Sequence, residues 1–243
     1  MINDVYKTVL SILNKNNYGY ITPQDFNLYA KQAQLDILDD YFTNYNYQVN
    51  KENARQSGTG YADLKKGYEE VIDGLSETKN LTQNATNTYF LPSQVTTSDD
   101  YYLINKVLCF RGATFLGEAE RVSHSKITML NNSSLTAPTE KFPAYVQNGS
   151  VITVFPSTIN GANDVQAQYI RYPKDPKWTF TTITGGTPIF DQTQADYQDF
   201  ELAIDDQVDL VIKILHLAGM SIREIQAVQF AKAEDQINIQ EKK

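Results

Sequence analysis

The sequence contains few side chains that could carry out acid–base or nucleophilic chemistry. It has two histidines, His124 and His216, and a single cysteine, Cys109. A hydrolytic triad needs a nucleophile, a base and an acid within hydrogen-bonding distance, and no serine lies in a Gly-x-Ser-x-Gly turn. Cys109 stands in the apolar run of residues 107–110, where a lone cysteine usually acts as a small buried hydrophobe. We therefore predict no catalytic residues and no enzymatic activity.

One loop has the spacing of a calcium site but lacks its ligands. Residues 14–25 resemble an EF-hand loop, with Gly19 and Ile21 at the sixth and eighth positions. However, the first position is Asn14, the fifth is Tyr18, and the twelfth is Asp25 instead of a bidentate glutamate. We interpret the loop as a corner between two helices. No His-x-x-x-His, Cys-x-x-Cys or His-Glu-x-x-His pattern occurs, so we predict neither a metal site nor a cofactor.

The glycine pairs and the acidic pairs predict neither a phosphate-binding loop nor a pair of catalytic carboxylates. The glycines at 58 and 60 and at 185 and 186 are not followed by Gly-Lys-Ser/Thr, so neither loop predicts a phosphate site. Adjacent acidic residues occur at 39–40, 99–100 and 205–206. Neighbours on a helix point in different directions, so two of them rarely form one acid–base pair. Asp205 and Asp206 more simply complement the positive end of the helix that they open.

Composition bears on the class of partner. The formal net charge is −8, which argues against tight binding to nucleic-acid phosphates. An acidic surface could still line a channel through which DNA slides without sticking. The 16 tyrosines against one tryptophan indicate either many contacts with neighbouring proteins or a β-rich domain with tyrosines in exposed strands. The sequence has no signal peptide and no membrane span, so we expect a soluble protein made in the cytoplasm, with no membrane partner.

The elements that must position any site begin with helices. Apolar spacing predicts a helix over residues 3–13. A second begins cleanly, with Thr22 as cap, Pro23 at the first helical position and Asp25 three residues after the cap, and it runs on to about residue 54. Residues 62–75 form a weaker third helix. These three predicted helices fill the N-terminal part of the chain.

The middle of the chain is predicted to be rich in β-structure. Expected strands cover residues 88–91, 101–110, 119–122, 142–146, 151–155 and 165–172. Asn148-Gly149 is a strong hairpin signal, and Asn160-Gly161 marks a further turn. Ser123 is expected to cap a short helix that ends near Asn131. The prolines and glycines from Pro173 to Pro188 predict a loop with at most a short strand.

Helix returns towards the C-terminus. Ile204, Val208, Val211, Leu215 and Ala218 are predicted to form one apolar face, and Gly219 is a candidate C-terminal cap. Ser221 and Glu224 then resemble a capping box for a last helix. The apolar stripe expected on that last helix is formed by Ile222, Ile225, Val228 and Phe230.

Helices at both ends and strands between them indicate an α+β fold. We expect a helical bundle formed by residues 1–75 plus 199–243, and an inserted, antiparallel β-rich lobe with long loops formed by residues 76–198. The polar segments 83–97 and 178–193 are too long to be loops without a function in a compact domain, so we expect them to act as arms that extend from the subunit. A subunit of a heterologous ring would use such arms to contact its neighbour.

Several blocks of the sequence resemble virion neck proteins of crAss-like and related short-tailed bacteriophages. They are residues 14–26, 135–146, 149–156, 169–178, 199–202 and 217–223, which leave residues 76–100 uncovered. The resemblance rests on the order and spacing of the blocks, since none is a chemical signature. It implies a head-to-tail connector similar to the tail tubular adaptors, and it carries over no functional residue.

What the resemblance implies about assembly is specific. Members of those families form closed rings, usually of twelve copies, in which a helical bundle stacks under the portal protein and a β-rich part meets the next tail component. The expected partners are therefore further copies of the chain, the portal protein, adjacent neck and tail ring proteins, and genomic DNA that passes through the lumen without sequence-specific binding. The expected location is the neck or tail of the virion, after assembly in the cytoplasm of the bacterial host.

Two other classes of function stay open at this point. A tail-associated carbohydrate- or receptor-binding module would place tyrosines and Trp178 on one exposed concave surface, whereas a connector would place aromatic residues at subunit contacts. An enzyme would need a pocket that joins His124 or His216 to a nucleophile and an acid.

Overall fold

The computed structural model describes residues 1–13, 21–53, 64–96, 99–182 and 188–222. It divides into two compact units. The terminal unit comprises residues 1–71 and 173–243, and the central unit comprises residues 72–172. The sequence had placed the two boundaries at 75/76 and 198/199, so the second boundary lies 26 residues earlier than expected. Helices and predominantly antiparallel sheets make this an α+β protein, as predicted.

The first two helices of the terminal unit begin within one residue of the positions that the local signals predict. α1 spans Ile2–Leu13, α2 spans Pro23–Asn53, and α3, which spans Leu64–Asp73, crosses the unit boundary. The Thr22 hydroxyl accepts a hydrogen bond from the Asp25 backbone N–H at 3.1 Å and donates one to the Asp25 carboxylate at 2.7 Å. This reciprocal pair satisfies an otherwise unpaired N–H of the first turn. The predicted cap of α2 is therefore confirmed.

The core of the terminal unit forms where α5, which spans Gln207–Ile222, packs against both α1 and α2. Each helix buries one stripe of apolar side chains at three- and four-residue spacing, as an amphipathic helix should. α1 contributes Ile2, Val5, Val9 and Leu13, α2 contributes Phe26, Ala30, Ala33 and Ile37, and α5 contributes Leu210, Ile214 and Ala218.

Two expectations about α5 are wrong. The helix runs without a break through Gly219 and Ser221, which had been read as the end of one helix and the start of the next. A glycine inside a helix costs only about 1 kcal/mol relative to alanine, and burial of Leu210 and Ile214 outweighs that cost. Ile204 lies in a 3-10 turn, Ile204–Asp206, before the helix. Residues 223–243, which include the remaining part of the predicted last helix, lie outside the described residues.

Trp178 explains why residues from Pro173 onward belong to the terminal unit. Its side chain is only 3 % exposed, and its ring centroid lies 4.0 Å from that of Tyr6 on α1. The Trp178 indole N–H donates to the Asn3 side-chain oxygen at 3.2 Å, and its backbone N–H donates to the Asn27 side-chain oxygen at 2.8 Å. The short antiparallel pair β10 (Phe180–Thr182) and β11 (Pro188–Phe190) follows. The predicted long loop is therefore part of a core.

Asp199 connects the start of α1 to the segment before α5. Its carboxylate accepts hydrogen bonds from the backbone N–H groups of Ile2 and Phe200, both at 2.8 Å, and lies 3.1 Å from the Met1 amino group. Burial by itself raises the pKa of Asp199, but these hydrogen bonds and the positive amino group bring it below its ordinary value of 3.8. The ionised carboxylate is thus the form that the fold stabilises.

We expect Asp199→Ala to lower the free energy of unfolding by about 1–2 kcal/mol at pH 7, a range reduced because the carboxylate is partly exposed. A depressed pKa means that the contribution is present above the ordinary value and is lost as the pH falls through the folded-state value. The gap between wild type and variant should therefore narrow below pH 3.8 in urea titrations. Asp199→Asn is the matched control, with an intermediate loss at pH 7. An equal gap at pH 7 and pH 3 would contradict this role.

The central unit contains two larger sheets. Its strands are β1 (Ser76–Asn80), β2 (Gln83–Ala85), β3 (Thr88–Phe90), β4 (Tyr101–Arg111), β5 (Thr114–Glu118), β6 (Glu120–Arg121), β7 (Ala144–Asn148), β8 (Val151–Phe155) and β9 (Val165–Arg171). One sheet has the antiparallel order β1-β9-β4-β5. The other has the order β2-β3-β8-β7-β6, with its β6–β7 pair parallel. Side chains from both sheets form one core.

Turn residues fix the register of the hairpins. β7 and β8 pair up to Asn148 and Val151, and Gly149 takes the left-handed conformation with φ of +57° that the predicted turn requires. A second hairpin, β2–β3, was not expected, and its turn contains Asn87 at φ of +51°. Asparagine tolerates this conformation better than most residues, and the Asn87 side-chain amide donates to the Val154 carbonyl on β8 at 2.7 Å. The polar segment 83–97 therefore contains the predicted strand, as β3, and one strand that was not predicted, β2.

The short helix α4 spans His124–Asn131 and begins as predicted. The Ser123 hydroxyl accepts a hydrogen bond from the Lys126 backbone N–H at 3.4 Å. Ile127 is the buried residue of the helix, and it joins Val122, Ala144 and Val146 in a small separate cluster. α4 and the segment that leads from it to β7 carry much of the exposed apolar surface of the central unit.

Candidate interaction surfaces

The two histidines do not form a catalytic group among the described residues. His124 is exposed at the first position of α4 in the central unit, whereas His216 lies on α5 in the terminal unit. The Nε2 atom of His216 is buried without a hydrogen-bond partner in the described part of the chain. A catalytic base is oriented by a hydrogen bond to its acid or nucleophile, and within the described ranges neither imidazole has one. The structure therefore does not bring a triad together around either residue.

Cys109 is part of the core of the central unit. Its side chain is fully buried, and burial together with the nearby charge of Asp164 raises its pKa to about 12. A thiol with this pKa is protonated at neutral pH, and the thiolate is the reactive form. Among the described residues, no group of three or more His, Cys, Asp or Glu side chains could hold a metal ion.

The acidic pairs have separate structural partners. Asp206 is buried and accepts a hydrogen bond from the Tyr41 hydroxyl at 2.6 Å, while Asp205 next to it is exposed. Burial and the Asp206 carboxylate both raise the pKa of Tyr41. The two carboxylates of the 205–206 pair thus occupy different environments, as expected for neighbours at a helix start.

The Asp99-Asp100 pair is split in the same way. Asp99 forms an ion pair with Lys79, and Asp100 accepts a hydrogen bond from the Gln94 backbone N–H at 3.0 Å. Asp40, of the third pair, lies 3.0 Å from the Lys213 ammonium group. Residues 14–20, 58–60 and 185–186, which hold the EF-hand-like and glycine-rich patterns, lie outside the described residues.

Buried tyrosines account for part of the unusual composition. Tyr6, Tyr89, Tyr145 and Tyr169 are core residues. The Tyr89 hydroxyl donates to the Gly161 carbonyl at 3.0 Å, and burial, then the charge of Asp164, raises its pKa to about 12. These side chains stabilise the fold and cannot face a ligand or a neighbour. Trp178 is also buried, so it is unavailable for stacking against a carbohydrate.

A first exposed apolar surface lies between α4 and β7 in the central unit. Met129, Leu135 and Phe142 are 73 %, 92 % and 71 % exposed. Leu135 and Phe142 help to line a cavity of about 430 Å³, together with Leu130 and Pro138. We call these five residues the α4–β7 surface. Clustered large apolar side chains on a folded surface are typical of a binding site.

A second apolar surface lies in the terminal unit, between α1 and α5. It is a groove of about 470 Å³ with buried Val211, Ile212 and Leu215 at its base. Ile204 and Val208 are 79 % and 64 % exposed along it, although the sequence had placed both on the buried face of the helix. That expectation is wrong for Ile204 and Val208, whereas Val211, Leu215 and Ala218 of the same predicted face are buried in the core with Leu210 and Ile214. Ile12 and Thr8 of α1 complete this α1–α5 groove.

A third concave surface is aromatic. A cavity of about 650 Å³ in the central unit is lined by Phe90, Tyr101 and Tyr172, with Asp100 and Ser150 among its polar residues. Tyr172 is 44 % exposed, and the Tyr101 hydroxyl accepts a hydrogen bond from the Gln147 side chain at 3.2 Å. We call this the tyrosine pocket. No sequence signal pointed to it, because the pocket combines β3 of one sheet with β4 and the segment after β9 of the other sheet.

Comparison with known proteins does not assign the chain to a family. No protein-family model matches the chain, and no curated protein matches it. Within the described ranges, the helices are too short or too polar to cross a bilayer.

Proposed function

We propose that this chain is a structural, non-enzymatic subunit of a bacteriophage virion neck. It forms a closed ring that connects the portal and head to the tail and lines the DNA channel. The observation that carries the proposal is the α4–β7 surface, where Leu135 and Phe142 are 92 % and 71 % exposed. Exposed apolar clusters of this kind are covered in the protein's assembled state. The resemblance of the sequence to neck proteins is the reason for proposing the virion neck as the assembly.

The geometry fits a heterologous contact. In a ring, the front of one copy meets the back of the next, so a surface need not be complementary to itself. We infer that the α4–β7 surface is one side of this contact and that the other side belongs to the next copy. Such an interface places Phe142 and Leu135 at its centre, where large side chains contribute most of the binding energy.

The finer architecture follows from the same proposal. The terminal helices act as the helical bundle that stacks against the portal protein, and the central unit, as the inserted β-rich lobe, meets the next neck or tail component. The formal charge of −8 per copy keeps the lumen from retaining DNA, since phosphates are repelled by a wall of carboxylates. The location is the virion neck, reached after assembly in the host cytoplasm.

The test is the state of assembly of the full chain. Light scattering after size exclusion should give a mass of about 330 kDa for twelve copies of the 27.5 kDa chain, alone or after addition of portal particles. Electron microscopy should show closed rings with a central channel. A chain that stays monomeric under both conditions and is absent from the neck of the virion would overturn the proposal.

The tyrosine pocket favours a second candidate function, a tail-associated carbohydrate- or receptor-binding module. Tyr172 and Tyr101 offer ring faces, and Asp100 and Ser150 offer polar groups within one concavity. The same purified chain distinguishes the two functions. A monomer that binds glycans on an array, with binding lost in Tyr172→Ala, would favour the module over the connector.

A further inference from the structure

α5 is apolar on two faces, but the described residues of the terminal unit cover only one of them. Leu210, Ile214 and Ala218 face the core formed with α1 and α2. Val208 and Ile204 lie along the α1–α5 groove and are mostly exposed. A helix with apolar residues on both sides is typical of one that is buried on both sides. We therefore expect another segment to pack against the second face and bury it.

The chain contains a segment in the right place to supply it. α5 ends at Ile222, and residues 223–243 follow directly. The distance from Ile222 back to Ile204 is about 27 Å at the helical rise of about 1.5 Å per residue. The 21 residues of the segment span about 31 Å at that same rise and more if extended, so the segment is long enough to turn back after Ile222 and lie along the groove.

The chemistry of the segment matches the groove better than a second copy does. The segment carries Ile225, Val228 and Phe230, and its four basic side chains balance its four acidic ones. The charged residue that lines the groove is Asp205. The segment has no net charge and therefore adds no repulsion to Asp205. Its attachment at the end of α5 also gives it a high effective concentration.

We propose that residues 223–243 bind the α1–α5 groove of their own chain, with Ile225, Val228 and Phe230 covering Ile204 and Val208. This contact is intramolecular and does not depend on the proposed role in a virion neck. It leaves the α4–β7 surface of the central unit as the apolar surface available to neighbouring copies.

Disulfide trapping in the full chain tests the contact. Val208→Cys combined with Val228→Cys should form an intrachain disulfide under mild oxidation, at a rate about tenfold above that of a control pair. The control combines Gln24→Cys, an exposed position at the start of α2 outside the groove, with the same Val228→Cys. Cys109 does not compete, because it is buried. Mass spectrometry of the dilute protein separates intrachain from interchain products.

Each outcome decides the question. Equal rates for the two pairs overturn the proposal, and a disulfide found only between chains assigns the groove to a second copy instead. Hydrogen exchange gives an independent measurement: Val208→Asp should increase exchange of the amides from 225 to 230. Val208 is 64 % exposed, so this substitution leaves the core intact. Unchanged exchange in that variant would also overturn the proposal.

Discussion

The double substitution Leu135→Asp and Phe142→Asp should abolish ring assembly and leave each subunit folded. The two side chains are 92 % and 71 % exposed in the subunit, so their replacement removes little from its core. Substitutions at such positions usually change the free energy of unfolding by less than about 0.5 kcal/mol. In an assembled interface, however, each aspartate would be buried without a partner, which is costly. The expected loss at a central interface position is about 2–4 kcal/mol, or roughly 30- to 1,000-fold in the dissociation constant of each contact.

The measurement is the mass of the assembled species as a function of protein concentration, with a thermal melt followed by circular dichroism as the check on folding. Leu103→Asp is the matched control, because Leu103 is a 47 % exposed aliphatic residue of the same unit that lines neither the α4–β7 surface nor the tyrosine pocket. The control should assemble like the wild type. If the double variant forms rings as readily as the control, the contact between copies lies elsewhere.

Local signals in the sequence predicted local structure well. Thr22 and Ser123 cap their helices as expected, and Asn148-Gly149 forms its hairpin, because each signal and its partner lie within three residues. These features depend on short-range hydrogen bonds and on the conformational freedom of one glycine. The class of fold followed from the order of such elements.

What the sequence could not predict depends on residues far apart in the chain. β1 and β2 consist mostly of polar residues, and they are strands because β9 and β3 supply their hydrogen-bonding partners. β-propensity is weak when the neighbours are unknown. At Gly219 the sequence predicted the end of a helix, but α5 continues through this residue because the helix is packed against α1 and α2. In each case a tertiary contact outweighed the local preference.

The candidate surfaces could not be predicted from the sequence either. The exposure of Val208, like that of Phe142, is decided by which of several apolar faces is covered, and apolar periodicity alone does not distinguish them. The described residues bring no catalytic group together around His124 or His216, and the absence of enzymatic activity stays a prediction. The identity of the neighbours and the ring itself stay predictions, which the assembly measurements above address.

Trp178→Ala should produce the largest loss of stability of any single substitution proposed here. Truncation of a buried tryptophan to alanine costs about 3–5 kcal/mol, because a large apolar surface is lost and a cavity is left behind. Trp178 packs against Tyr6 at 4.0 Å between ring centroids and lies near Phe180 and Phe190 at 5.8 and 5.9 Å. The same change also removes the indole N–H that donates to Asn3. The cost is concentrated in the terminal unit.

Urea unfolding followed by far-ultraviolet circular dichroism measures this loss, and hydrogen exchange assigns it to a unit. A chain with two compact units need not unfold in one step, so amides of α1 and α5 should lose protection while those of β4 and β9 keep it. Trp178→Phe is the matched control: it keeps a ring against Tyr6 but loses the bond to Asn3, and it should cost about 1–2 kcal/mol. A loss below 1 kcal/mol for the alanine variant, or equal loss of protection in β4 and β9, would contradict the assignment of residues 173–198 to the terminal core.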